Sequence, residues 1–177
     1  MNPLRLYDYL TEARARVFDW IRPLSDEQYR TEHPIGLGSL ARTLHHTMAA
    51  EAAYMRRING LTDPFTRANL ELDPDATTES ALAFAELEAR WRLQAERVMV
   101  DLEAAVGRAW LEPMACISEW DGRCVTYRAS PADFFCQLVI HEIHHRAQVL
   151  HMLRRLGVTT DEIDYTALML DFAETPD

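Results

Sequence analysis

The sequence predicts an all-α fold: an antiparallel four-helix bundle of the up-down-down-up type, with a small β-hairpin and a short C-terminal helix. Three observations carry this. Four long stretches repeat apolar residues at the 3.6-residue period of a helix that buries one face. Only the segment 108–129 breaks that period, with two short β-like runs around Asp121-Gly122. The chain has 177 residues, 48% of them hydrophobic, which suits a single domain over 1–177 with a sizeable core.

In the first helix, Pro3 to Ile21, the residues Leu6, Tyr7, Leu10, Val17 and Ile21 face the core, and Glu12, Arg14, Arg16 and Asp19 read as solvated. A connector rich in Pro and Gly follows, with one short turn started by Ser25. Ser39 caps a second helix that ends near Arg56, Arg57 and Gly60; its apolar stripe is Leu40, Leu44, Met48, Met55 and Ile58. Residues 61–76 are loop by composition, with two Asp-Pro steps. Thr77 or Thr78 is expected to open a third helix, whose stripe of Phe84, Leu87, Trp91, Val98, Leu102 and Ala105 runs to Gly107. In the hairpin, a two-residue turn sets Cys124 opposite Glu119 and Cys116 opposite Tyr127. The central helix has both ends marked: Ser130 as cap, Pro131 in the first turn, Gly157 at the C′ site. Thr160 is expected to cap a last short helix, and the ending AETPD to fray.

The central helix carries the chemistry. At about 100° per residue, His141 and His145 lie about 40° apart on a stripe shared with Phe134, Leu138, Gln148, Val149 and Met152. Two imidazoles pointing the same way can place two nitrogens on one metal ion; the competing reading is a pair of core histidines, which needs several polar partners. The run HEIHH also fits the zinc-protease pattern H-E-x-x-H, with Glu142 as base. Gln148 stands where the extended motif needs a Gly to turn the chain, so His151 stays helical and the protease is a lesser alternative. Glu142 lies about 100° from His141, and a structural pairing with Arg146, its i+4 neighbour, competes with the base role.

A third ligand has to come from elsewhere. His46 sits on a line of Thr43, Ala50 and Ala53, small residues that let another helix approach closely. His45 points about 100° away and is the alternative if the assignment slips by one residue; His144, about 60° from His141, is a candidate for the layer behind the ligands.

Composition narrows the function. With 28 acidic against 18 basic residues the net charge is −10, and the basic residues form no stripe, which disfavours nucleic acid and anionic membranes as partners. The N-terminus is too charged for a signal peptide and no apolar run reaches the length of a membrane span, so a cytoplasmic protein is expected. Cys116, Cys124 and Cys136 are odd in number and lack C-x-x-C spacing; reduced thiols are expected, with Cys136 as core packing.

The second helix, S-L-A-R-T-L-H-H-T-M-A-A-E, sets a Ser seven residues before His46 and a Glu five after it, and the central helix reads H-E-I-H-H-R-A-Q ahead of L-R-R-L-G. Together these resemble the DinB/YfiT-like family of metal-binding four-helix bundles, unrelated to the DNA polymerase that shares the DinB name. The resemblance implies a metal triad of His46, His141 and His145 with open coordination positions. It also implies zinc or nickel as the metal, thiol-dependent transfer or isomerisation as the chemistry, and frequent homodimers. The leading expectation is a metal-dependent enzyme of thiol-transferase or hydrolase type acting on a small molecule such as a low-molecular-weight thiol. The rival is a non-catalytic metal-binding stress-response protein.

Overall fold

A computed structural model describes residues 2–61, 72–107, 109–120 and 122–171, the side chains of Glu119 and Trp120 excepted. The first Asp-Pro step and the AETPD ending lie outside the described residues. The elements are helices α1 (Pro3–Ile21), α2 (Asp26–Arg30), α3 (Leu40–Ile58) and α4 (Phe84–Val106), strands β1 (Met114–Trp120) and β2 (Arg123–Ala129), then α5 (Pro131–Arg155) and α6 (Tyr165–Met169). The molecule is therefore mostly helical, with one two-stranded antiparallel hairpin among the described residues.

Side chains mark most helix starts. Asn2 accepts from the Leu4 and Arg5 N–H groups ahead of α1, Ser25 and Gln28 form a capping box at α2, and Ser39 accepts from the Arg42 N–H at α3. At α5, Ser130 and Asp133 cap each other reciprocally, and Gly157 just past the far end takes φ +81°, the left-handed geometry expected of a C′ glycine.

Two starts fall later than the sequence predicts. Thr77 and Ser80 close a turn on themselves, with Thr77 N–H to Ser80 Oγ at 2.9 Å, and Thr78 bonds across to Ser39 and Glu32. The hydroxyls expected to cap are thus spent on other contacts, and α4 begins at Phe84 behind Ala83, with no side-chain cap. Likewise Asp164, not Thr160, caps the last helix, accepting from the Ala167 N–H at 2.8 Å.

The four long helices close a ring of neighbours: α3 lies against α4 and α5, and α1 against the same two. Tyr7, Leu10, Ile21, Leu40, Met48, Leu87, Trp91, Leu102, Leu138 and Met152 fill the space between them and are fully buried. The closest pair is α3 with α5, where Thr43, Ala50 and Ala53 are buried. Small side chains here let the two histidine-bearing helices approach, as the sequence predicts.

The hairpin keeps the expected register, Cys116 opposite Tyr127 and Glu119 opposite Cys124. Its cysteines correct an expectation. Cys136 is exposed, while Cys116 is the buried one, and all three are free thiols. Arg14 also departs from its reading as solvated: it is 6% exposed, at the centre of the helical body. Among the described residues, no helix is long and apolar enough to cross a membrane.

Candidate metal centre

α3 and α5 bring His46, His141 and His145 together. Among the described residues this is the group able to hold a metal, with one ligand nitrogen from each ring and all three within 4.8 Å of one another. The Nε2 atoms of His46 and His141 stand 3.1 Å apart, and the His141 and His145 rings meet edge to face at 4.4 Å between centroids. Two imidazole nitrogens on a tetrahedral ion, each bonded at about 2.1 Å, lie about 3.4 Å apart. The observed spacing fits such a donor set.

The hydrogen bonds behind the rings fix their tautomers. His46 Nδ1 lies 2.8 Å from the Pro74 carbonyl, which can only accept, so the proton sits on Nδ1 and Nε2 keeps its lone pair. His145 Nδ1 lies 2.9 Å from Gln148 Oε1, with the same result. Anchoring the far ring nitrogen in this way is how metal-bound histidines are oriented. Burial, together with the neighbouring His145, His46 and His144, pushes the His141 imidazole down to about 3 from an ordinary value of about 6.5. Burial lowers His145 too, against the pull of its Gln148 bond. The His141 and His145 rings are thus neutral and able to ligate at neutral pH.

His45 is not at this site. It is buried, Nε2 donates to the Asp73 carbonyl at 3.1 Å, and Nδ1 accepts the Leu82 N–H at 3.2 Å. It pins the segment that also supplies Pro74 to His46. His144 stands one layer back, its Nε2 taking an N–H from the Gln148 amide at 2.9 Å. His151 is exposed and lies outside the metal-capable group. Tyr54, two turns along α3 from His46, was not singled out by the sequence; its ring meets His141 edge-on at 5.7 Å.

Glu142 turns away from the histidines into the protein. It does not pair with Arg146, as its i+4 spacing suggests: Arg14 takes both its oxygens, Nη2 to Oε2 at 2.7 Å and Nε to Oε1 at 3.3 Å. Arg146 instead donates to the Tyr9 hydroxyl and stacks on that ring at 4.9 Å. The Arg14 Nη2 atom also holds Glu51 Oε2 at 2.7 Å, while Glu51 Oε1 receives N–H groups from Trp91 at 3.0 Å and Gln94 at 2.8 Å. One buried cluster therefore ties α1, α3, α4 and α5 together. Burial raises the Glu142 carboxyl, Arg14 offsets part of that rise and Glu51 adds to it; burial also works against the Arg14 charge, but Glu142 and Glu51 outweigh it and keep the guanidinium ionised. Between this cluster and the histidines is a cavity of about 20 Å³ lined in part by Arg14, Glu142, His145 and Arg146, with the buried Arg146 Nη1 unpartnered. That is room for one water, with polar groups to hold it.

No curated protein matches this chain. The model of the family described as DinB family matches residues 1–174, almost the whole length, and the histidine centre sits on the two helices that carry the resemblance. The chain belongs to the DinB family.

Proposed function

We propose that the protein is a metal-dependent enzyme of thiol-transferase or hydrolase type, with His46, His141 and His145 holding a divalent ion, zinc or nickel. The observation that carries this is the convergence of three imidazoles with no carboxylate or thiolate joining the group among the described residues. Three neutral ligands leave coordination positions open and the ion's double charge undiminished. When bound, such an ion supplies Lewis acidity that makes a nucleophile of water or a small thiol at neutral pH. The chain's own residues orient that ion: Pro74 and Gln148 hold two rings with their lone pairs inward.

We assign Glu142 to positioning, since Arg14 occupies both its oxygens, and leave the base role to solvent or substrate. That same engagement favours a second reading, a non-catalytic metal-binding stress-response protein, because the carboxylate next to His141 in the chain is held by Arg14 and none joins the three histidines among the described residues. The proposed setting is one cytoplasmic domain, an up-down-down-up bundle. We further propose a homodimer: Ile140 and Ile143 stand exposed on one outward face of α5.

Metal analysis of the wild type and of the three single alanine variants tests the site. One equivalent in the wild type, lost in His141→Ala and His145→Ala, is expected; retention in both refutes it. Assay against a panel of thiols and electrophiles separates enzyme from binder, chelator-sensitive turnover being the result expected of the enzyme.

A further inference from the structure

We infer that Gln148 is a positioning residue of the metal centre and that the loop at Gly36 is shaped to hold it; the inference rests on the metal reading above. The amide stands between two histidines, with Oε1 2.9 Å from His145 Nδ1 and Nε2 2.9 Å from His144 Nε2. Each end of an amide has one role: the NH2 donates and the oxygen accepts. His144 must therefore offer a lone pair at Nε2, and His145 must carry its proton on Nδ1. That leaves His145 Nε2 bare and facing His46 and His141.

His46 gets the same service from the Pro74 carbonyl, a main-chain group fixed by the fold. Gln148 is a side chain with rotamers to lose, so something must hold it. The loop between α2 and α3 does this. A Cβ built on Gly36 would stand 2.2 Å from Gln148 Oε1 and 2.5 Å from its Cδ, closer than any side chain tolerates, and Gly36 has φ +54°. The loop lies on the amide itself, and it is closed by His33 N–H to the Gly38 carbonyl at 2.6 Å and Gly38 N–H to the Ile35 carbonyl at 3.0 Å. Only glycine at 36 permits that approach. The residue that breaks the extended protease motif at position 148 is thus the one that orients a ligand.

The test loads metal-free protein with Co²⁺ and reads affinity and the visible spectrum for wild type, Gln148→Met, Gln148→Glu, Gln148→Ala, Gly36→Ala and Gly36→Ala/Gln148→Ala. Imidazole ¹⁵N NMR of the metal-free proteins reads the His145 tautomer. Gln148→Met keeps the length and loses the acceptor: affinity falls about 10- to 100-fold, the spectrum shifts, and the His145 Nδ1–H signal disappears. Gln148→Glu, which still accepts from Nδ1–H, binds within about threefold of wild type. Gly36→Ala reproduces the Met variant, yet adds little once Gln148 is already Ala, because the clash has lost its partner. Wild-type binding that depends on the three histidines, with Gln148→Met unchanged, overturns this inference and leaves the metal centre standing. A wild type that binds no cobalt overturns both.

Discussion

Replacing Arg14 by Met tests the buried cluster most severely. The side chain is 6% exposed and makes three contacts to carboxylates, at 2.7, 2.7 and 3.3 Å, besides lying 4.2 Å over the Trp91 ring. Methionine fills much of the same volume, so the lost charge dominates. Glu51 keeps two donors, Trp91 and Gln94; Glu142 loses both its bonds to Arg14 and must protonate. Holding a carboxyl of ordinary pKa near 4.3 neutral at pH 7 costs about 4 kcal/mol, within the 3–5 kcal/mol typical of breaking a buried ion pair. For a domain of this size that lowers the melting temperature by about 8–16 °C. The pH dependence follows. In the variant the folded state binds a proton that the unfolded chain releases above about pH 4.3, so its stability falls as pH rises, by about 1.4 kcal/mol per unit. The deficit against wild type, from urea titrations of metal-free proteins, should be about 4 kcal/mol at pH 7 and shrink to about 1–2 kcal/mol at pH 5. A deficit below about 1 kcal/mol, or one that does not change with pH, refutes the reasoning.

Three further outcomes are expected. His45→Ala removes two hydrogen bonds from a buried site and should cost about 2–3 kcal/mol, while metal content stays at one equivalent; loss of that equivalent would shift the ligand assignment by one residue. The metal-free wild type should lose stability as pH falls below about 6.5, because the unfolded chain protonates histidines that the fold keeps neutral, His141 down to about 3; equal urea midpoints at pH 7.5 and 5.5 would contradict this. Cys124 and Cys136 should react with an aromatic disulfide reagent in the native protein and Cys116 only on unfolding, since burial excludes reagent and raises its thiol; three fast thiols would contradict the fold at β1.

The histidine cluster was legible because it obeys helical periodicity. His141 and His145 share a face by spacing, and His46 lies on a small-residue line that had to meet a neighbour. The buried cluster was written in the same code but masked by residue type. Arg14 falls in the series Leu10, Arg14, Val17, Ile21; Glu51 in Leu44, Met48, Glu51, Met55, Ile58; Glu142 in Leu138, Glu142, His145, Val149, Met152. Each steps by three or four residues, so each charge occupies a core position. One charged residue in such a series is an anomaly, and three on separate helices with opposite signs are partners. Cys136 is the converse case, where the habit of burying cysteine overrode a position off the stripe. The late start of α4 was not legible, since Thr77 and Thr78 are good caps by type and only the bonds to Ser80, Ser39 and Glu32 engage them otherwise.

The cluster and the histidine centre share one turn of α5, with Glu142 about 60° around the helix from His145 and about 100° from His141. Glu142, between His141 and His145, is clamped by Arg14, which fixes how α5 is rotated about its own axis. Ligand atoms on a helix lie about 5–6 Å from that axis, so a rotation of about 10° moves them by about 1 Å, more than a metal site tolerates. Apolar packing alone resists such a rotation weakly, whereas a two-point ion pair opposes it directly. Stability and metal affinity should therefore come apart in the triple variant Arg14→Met, Glu51→Gln, Glu142→Leu. With no charge left in the cluster, and the amide oxygen introduced at position 51 still accepting from Trp91 and Gln94, stability should return to within about 2 kcal/mol of wild type. Cobalt affinity should nevertheless fall at least about tenfold, because the two-point ion pair that sets the azimuth of α5 is gone and only the single bond from Arg146 to the Tyr9 hydroxyl is left to oppose rotation. If the triple variant regains stability and binds cobalt like the wild type, the cluster only fills space. If it stays as unstable as Arg14→Met alone, the buried charge was not the source of the deficit.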